Sequence, residues 1–248
     1  MRYRMELAYD GTHFGGWQTQ PNAPTVQAHI DQALSQICNT PIETMGCGRT
    51  DAGVHAKYFV AHFDGPSNIP VDLAHRLNKL LPPSIAIQTI AACQDQFHAR
   101  FDAILREYQY FICTKKDAFL AHRTWFMGQT LDVESMNLCA TKLIGKHSFA
   151  AFCKGDIPNN NPVCEVFQAN WSISPQGYIF TIQANRFLRN MVRAIVGTLV
   201  DVGQGKITHS QFEEIVHHGN RSNASHSAPA DGLFLTNVDY PEISNSSH

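Results

Sequence analysis

Apolar and polar residues alternate at the start of the chain, where every second position from Tyr3 to Tyr9 is apolar. A period of two is the pattern of a strand with one buried face. Residues 106–112 alternate in the same way and predict a strand that carries two tyrosines. Apolar runs bounded by turn residues predict further strands over residues 42–47, 58–63, 84–92, 163–173, 178–184 and 232–238.

Apolar residues spaced three or four apart predict five helices. The first begins after Thr25, a residue type that caps helices, and the second ends before Pro82. The other three are predicted over residues 132–145, 188–199 and 208–216.

The helix predicted over residues 188–199 is amphipathic. Opposite its apolar face lies a narrow stripe formed by Arg186, Asn190, Arg193 and Gly197. A solvated charged face is the ordinary interpretation of such a stripe. Two arginines in this position would also suit an RNA backbone or a buried carboxylate, and periodicity leaves these alternatives open.

Both halves of the chain mix strands with helices, which predicts an α/β (α+β) protein. A weak boundary over residues 115–122 divides it into an N-terminal half, residues 1–113, and a C-terminal half, residues 114–248. No sequence repeat or long linker interrupts this pattern.

The composition is that of an ordinary globular protein, with 248 residues of which 44% are hydrophobic and 16% charged. The formal net charge of −2 does not indicate nucleic-acid binding, so such a role requires local clusters like those in residues 100–123 and 186–193. Seven cysteines without a CxxC pair favour free thiols in the cytoplasm. We expect neither a signal peptide nor a segment that spans a membrane.

The chain lacks the usual signatures of bound metals and nucleotides. It has no HExxH motif, no Cys/His cluster at zinc spacing, no Walker loop and no GxGxxG after a predicted strand. We therefore expect no metal and no nucleotide cofactor. A GxSxG elbow is also missing, although spacing alone does not exclude a Ser/His/Asp triad.

Candidate chemistry is concentrated in residues 48–55, where Asp51 lies close to Arg49 and between Gly48 and Gly53. Glycines permit backbone angles and close approaches that other residues resist, so Asp51 can be presented on a tight turn. The alternative is that Asp51 only caps a turn, as aspartates near glycine commonly do.

A second candidate is the strand with Tyr108 and Tyr110, which lies close to Arg100 and Arg106 in the sequence. Nucleic-acid surfaces use aromatic rings for stacking and cations for phosphates. Tyrosines on strands are also common core residues, so this pattern alone does not decide between the two roles.

Five stretches together resemble the signature segments of the TruA family of tRNA pseudouridine synthases, and they occur in the family's order. They are residues 48–56, 97–101, 106–110, 191–197 and 232–235. The resemblance covers nearly the whole chain and implies a pseudouridine synthase-like fold, with a central mixed or antiparallel sheet, two similar halves around a cleft, and a homodimer. It also implies an isomerase that acts without a cofactor on uridines 38, 39 and 40 of the tRNA anticodon stem-loop.

The same resemblance implies a role for each site residue. Asp51 is the catalytic aspartate, and Tyr108 is the ring against the target uracil. Arg49 helps to extrude the base, and Leu233 is an apolar contact of the uracil. Arg193 is the partner of Asp51, so we expect a partly buried ion pair that links the two halves.

Two residues depart from the family's pattern. Asp102 stands where the family more often has a small hydroxyl residue, and Cys164 stands where an arginine is expected. These departures bear on local RNA contacts and not on the reaction.

Two other functions compete with this interpretation. An RNA-binding module without catalysis would share Tyr108 and Arg100 but would not need an acid beside Arg49. A nucleoside or glycoside hydrolase would need a second carboxylate as general acid across the cleft. Neither pattern nor spacing offers a convincing candidate for that carboxylate.

Overall fold

A computed structural model describes residues 1–241 of the chain. The strands in this range are β1 (Arg2–Tyr9), β2 (Thr44–Gly46), β3 (His55–Asp64), β4 (Ile85–Ala92), β5 (Leu105–Cys113), β6 (Trp125–Phe126), β7 (Gly145–Ser148), β8 (Val163–Ser174), β9 (Gly177–Ala184) and β10 (Leu233–Asp239). The α-helices are α1 (Val26–Cys38), α2 (Leu73–Leu80), α3 (Val133–Ala140), α4 (Met191–Gly203) and α5 (His209–His218). None of these helices is long and apolar enough to cross a membrane.

The ten strands form one sheet in the order β4-β1-β3-β10-β5-β9-β8-β7, with β2 paired to β3 and β6 paired to β5. The β3–β10 and β5–β6 pairs are parallel, and the other pairs are antiparallel. This architecture confirms the predicted α/β fold with a mixed sheet. Strand β10 comes last in the sequence but lies at the centre of the sheet, beside the start of β3.

The sheet and its helices enclose two apolar cores. The first contains residues of β1, β3, α1 and α2, including Phe59 of β3, together with Trp17 of the loop between β1 and α1. The second contains residues of β8, β9, α3, α4 and α5, including Phe180 and Phe212. Tyr108 on β5 packs against both cores, so the centre of the sheet is where they meet.

Several predicted features are confirmed in detail. The hydroxyl of Thr25 accepts a hydrogen bond from the backbone of Ala28 at the start of α1, and Thr208 and Gln211 form the predicted capping box of α5. All seven cysteines are free thiols. The division of the chain at residue 113 stays a prediction, and residues 242–248 of its C-terminal half lie outside the described range.

The helix predicted over residues 132–145 is too long. Helix α3 ends at Ala140, a 3-10 helix covers Thr141–Leu143, and β7 begins at Gly145 with a φ of +105°. Residues 145–148 pair with β8 instead of continuing the helix. Pairing with a neighbouring strand therefore outweighs the helical spacing of the apolar residues.

The start of the amphipathic helix also differs from the prediction. Asn190 has a left-handed backbone with a φ of 65°, and α4 begins only at Met191. Arg186 and Leu188 therefore precede the helix, and Arg186 does not extend the stripe that contains Arg193.

Candidate active site

The loop before β3 presents Asp51 beside Arg193 of α4. The Nη1 atom of Arg193 lies 3.4 Å from Oδ2 of Asp51, and the two side chains are 21% and 30% exposed. The contact joins residues 142 positions apart in the sequence. The expected partly buried ion pair is thus present, although the catalytic roles of both residues remain predictions.

Two glycines of an earlier loop press against the Asp51 loop. A Cβ atom at Gly11 would lie 2.0 Å from the carbonyl oxygen of Val54, and a Cβ atom at Gly16 would lie 2.2 Å from that of Thr50. Gly16 also has a φ of +100°, which favours glycine. Both positions therefore require glycine for the two loops to pack together.

The sequence prediction assigned this steric role to Gly48 and Gly53. Gly53 has a φ of +79° and donates its N–H to the carbonyl of Phe14, as a tight turn requires. Gly48 has open space around its Cβ position and is not among the residues with positive φ. The prediction is therefore wrong for Gly48, and the missed glycines lie in residues 11–16, where clustered glycines were the available signal.

Buried His55, at the start of β3, contacts the loop that follows β1 and so joins it to the Asp51 loop. The Nδ1 atom of His55 accepts a hydrogen bond from the N–H of Gly11 at 3.0 Å and lies 3.2 Å from Oδ1 of Asp10. Burial lowers the pKa of His55, which favours the neutral ring. Asp10 also accepts a hydrogen bond from Arg123 at 3.1 Å and so connects the start of β3 to a loop beyond β5. Sequence patterns placed His55 and Arg123 in candidate segments but did not predict that both contact Asp10.

Segment 224–230, here called the cover segment, lies over the polar stripe of α4. The Nε atom of Arg193 donates to the carbonyl of Ala228 at 2.7 Å, and the N–H of Ala228 donates to the carbonyl of Arg193 at 2.9 Å. A Cβ atom at Gly197 would lie 1.9 Å from the carbonyl oxygen of His226. The stripe is therefore covered by protein, and its interpretation as a solvated face is wrong.

Tyr108 and Tyr110 differ in their surroundings. Tyr110 is fully buried and donates its hydroxyl to the carbonyl of Pro229 in the cover segment at 2.8 Å, so the core interpretation holds for this residue. Tyr108 is half-buried, and its ring packs edge-on against Phe187 at 5.1 Å. Burial raises the pKa of Tyr108, and the negative charge of nearby Asp51 adds to the effect. The Tyr108 hydroxyl forms no hydrogen bond within residues 1–241.

The other two predicted site residues have contrasting environments. Arg49 is exposed, and its guanidinium has no hydrogen-bond partner in the described part of the chain. Leu233 is 5% exposed and pairs with Tyr110 across the sheet, two residues from the pair formed by Leu235 and Tyr108. Because side chains alternate along a strand, Leu233 lies on the same sheet face as Tyr108.

The basic residues divide into structural and exposed groups. Arg106 donates hydrogen bonds to the carbonyls of Ala103, Asn185, Cys47 and Arg100, at 2.8, 2.8, 3.0 and 2.5 Å. It thus holds the backbone together, and its predicted availability for phosphate is not supported by this geometry. Burial and the positive charges of Arg49, Arg106 and Arg186 lower the pKa of Arg100, which places several cations close together.

The structure shows the surroundings of both residues that depart from the family pattern. The Oδ2 atom of Asp102 accepts a hydrogen bond from the N–H of His98 at 2.8 Å, a role that a small hydroxyl residue can also fill. Cys164 is 1% exposed, and burial raises the pKa of its thiol to about 11. Its side chain belongs to the second core and offers no cation to a ligand.

Comparison with known proteins adds independent information. The chain matches a family model described as tRNA pseudouridine synthase over residues 7–102 and 139–241. It is 44% identical to "tRNA pseudouridine synthase A" of Parabacteroides distasonis, with 97% of this chain and 96% of the relative covered. Proteins of the same name from Porphyromonas gingivalis and Bacillus subtilis are 46% and 38% identical, with 97% of this chain and 97% and 99% of the relatives covered.

One solved structure resembles the chain weakly. "Crystal Structure of a Cbf5-Nop10-Gar1 Complex" aligns with 94% of this chain and 58% of that chain, at 12% identity and a TM-score of 0.35. This likeness is too low to support an argument.

Proposed function

Since the chain belongs to the tRNA pseudouridine synthase family, we propose that it isomerises uridine to pseudouridine at positions 38, 39 and 40 of the tRNA anticodon stem-loop. The observation that carries the proposal is the 3.4 Å contact of Asp51 with Arg193 in a site shared with Tyr108. A carboxylate, a cation and an aromatic ring are the groups that this chemistry needs.

In the proposed reaction the C1′–N1 bond of uridine breaks and a bond from C1′ to C5 of the same uracil forms. C5 then loses its proton and N1 gains one, so the product is an isomer of the substrate. The uracil stays in the pocket throughout, so the protein's own groups suffice and we propose that no cofactor takes part. Asp51 supplies the carboxylate, and the guanidinium of Arg193 lies 3.4 Å from it and orients it. Attack on C1′, addition to C6 and abstraction of a sugar proton all use this same carboxylate.

The other site residues bind the base in this proposal. The ring of Tyr108 forms a floor for the uracil, and its hydroxyl, which has no hydrogen-bond partner within residues 1–241, bonds the ligand. Leu233 supplies an apolar contact from the same face of the sheet. Exposed Arg49 assists in flipping the target nucleotide out of its stack, which costs a few kcal/mol that contacts in the pocket offset.

The proposed assembly is a homodimer in the cytoplasm that binds the tRNA anticodon stem-loop. The free thiols of all seven cysteines support a reducing compartment. A sedimentation experiment with the purified protein tests the dimer, because a monomer at micromolar concentration would contradict it.

The proposed function is tested by incubating the purified protein with unmodified tRNA and mapping pseudouridine with a chemical adduct. We expect new pseudouridine at positions 38, 39 and 40 of substrates with uridine there. Free uracil would indicate a hydrolase instead, and bound but unchanged tRNA would indicate an RNA-binding module without catalysis.

A further inference from the structure

Phe101 is a large apolar side chain that the fold holds out in water. It is 74% exposed and lies in the turn formed by residues 98–102. The turn is closed by a hydrogen bond from the N–H of Asp102 to the carbonyl of His98 at 3.0 Å, and by the N–H of His98 to the Asp102 carboxylate at 2.8 Å. The Nδ1 atom of His98 also accepts from the backbone N–H groups of Arg100 and Phe101, both at 3.2 Å.

Three further hydrogen bonds fix this turn to the sheet. The N–H of Ala99 donates to Nδ1 of buried His62 at 3.1 Å, and the Tyr240 hydroxyl donates to the carbonyl of Ala99 at 2.6 Å. Arg106 donates to the carbonyl of Arg100. A turn with this many internal and external bonds has a defined conformation, so the exposure of Phe101 is built into the fold.

The surroundings of Phe101 are aromatic and cationic. Its ring lies 4.2 Å from the ring of His98 and 5.5 Å from the Arg100 guanidinium. The Nη2 atom of Arg106 donates to the carbonyls of both Cys47 and Arg100, at 3.0 and 2.5 Å, so the segment that leads into Arg49 lies beside this turn. Arg49 is two positions from Asp51 in the sequence, which places the cationic side of the turn next to the candidate active site.

We propose that Phe101, whose ring packs against the ring of His98, is a stacking platform for an unpaired nucleobase of the RNA, and that Arg100 and Arg49 contact the phosphates of that RNA. The proposal rests on the proposed function, since it assumes that RNA enters the adjacent site. Every base has a face that can stack on an aromatic ring, and phosphates complement the arginines.

A second copy of the chain fits this surface poorly. In a symmetric dimer contact with Phe101 at its two-fold axis, the arginines around Phe101 would face the same arginines of the other copy. An anionic partner removes that repulsion. Charge complementarity therefore favours RNA as the occupant.

The test measures binding of a fluorescently labelled, unmodified anticodon stem-loop RNA to wild type and variants by anisotropy. Phe101→Ala should weaken binding roughly five- to 150-fold, the range for the loss of one base–aromatic stack. Phe101→Trp should restore binding to within about threefold of wild type, because it retains an aromatic face. Ile173→Ala is the matched control, since Ile173 is also 74% exposed, and it should bind like wild type.

The salt dependence of binding separates stacking from charge. Phe101→Ala should leave the slope of log affinity against log salt unchanged, whereas Arg100→Gln should reduce its magnitude by about one. Stacking neutralises no phosphate and therefore releases no counterion. A changed salt slope in Phe101→Ala would overturn the proposal.

The remaining outcomes distinguish this proposal from the proposed function. If wild type forms pseudouridine but Phe101→Ala binds RNA equally well, the platform is wrong and the proposed function stands. If wild type binds RNA without forming pseudouridine, the proposed function fails, and the loss of binding in Phe101→Ala still supports the platform. Dissociation of an oligomer by Phe101→Ala would assign the surface to a second copy and overturn the proposal.

Discussion

Replacing Gly197 by alanine tests how the cover segment holds Arg193. The added Cβ atom would lie 1.9 Å from the carbonyl oxygen of His226, whereas a carbon and a carbonyl oxygen in contact are about 3.3 Å apart. The obstacle is backbone, so the cover segment has to move by roughly 1.4 Å, the difference between these two distances. A shift of this size is enough to break the hydrogen bonds that the segment makes with α4.

Three hydrogen bonds are at risk. Two join Arg193 and Ala228, at 2.7 and 2.9 Å, and the third runs from the N–H of Ser225 to the Thr198 hydroxyl at 3.2 Å. At about 1 kcal/mol for each neutral bond and about 2 kcal/mol for the one from the guanidinium, their loss costs about 4 kcal/mol. Alanine favours the helix over glycine by about 1 kcal/mol, which leaves a net loss of about 3 kcal/mol in the free energy of unfolding.

The effect on the reaction follows from the position of Arg193. Its Nε atom no longer has a fixed acceptor, so the guanidinium shifts relative to Asp51. Misplacement of a site group by about 1 Å can lower a rate by about 100-fold. We therefore expect a single-turnover rate of pseudouridine formation near 1% of wild type at saturating enzyme, with tRNA affinity nearly unchanged.

The assay combines urea denaturation with single-turnover kinetics. Gly48→Ala is the matched control, because a Cβ atom there meets nothing within 4 Å and the variant should unfold like wild type. If Gly197→Ala unfolds at the urea concentration of wild type and reacts at the wild-type rate, the cover segment does not hold Arg193.

Three further predictions follow from individual contacts. Arg193→Leu should lower the single-turnover rate with tRNA affinity within several-fold, and a loss confined to affinity would make Arg193 a phosphate contact. Burial raises the pKa of Asp31 to about 6, so its ionisation opposes folding as pH rises from about 4 to about 6. One Asp31 oxygen accepts both hydrogen bonds from Thr44, and the amide oxygen of asparagine can accept the same two bonds. Asp31→Asn should therefore have a larger free energy of unfolding than wild type above pH 6, and this difference should disappear below about pH 4. Urea titrations that show no such pH-dependent difference would contradict the prediction. Arg106→Gln should destabilise the fold by several kcal/mol but leave the salt slope of RNA binding unchanged, and a slope reduced by about one would make Arg106 a phosphate contact.

The elements that the sequence predicted well are those whose signal is local. Strand β1 follows from strict alternation, and α1 follows from its apolar face and the Thr25 cap. The pairing of β10 with β3 is not encoded in either strand's own pattern, because it depends on the path of the whole chain. The prediction of a helix over residues 132–145 was too long for the same reason, because residues 145–148 pair with β8.

The candidate site was predictable only in part. The family resemblance pointed to Asp51 and Arg193, and their contact is present. Periodicity alone could not show that the stripe of α4 is covered, because the cover segment is a loop without a repeating pattern. The requirement for glycine at Gly11 and Gly16 likewise arises between two loops that are distant in sequence.

The most direct test of the account is the rate of pseudouridine formation by Asp51→Asn in a single turnover on unmodified tRNA, with the fraction of bound tRNA measured in the same reaction. An amide has the shape of the carboxylate and retains an oxygen for Arg193, but it can act neither as nucleophile nor as base. We predict tRNA binding within several-fold of wild type and no detectable pseudouridine. Pseudouridine formed by Asp51→Asn at a rate close to that of wild type would contradict the central role of Asp51.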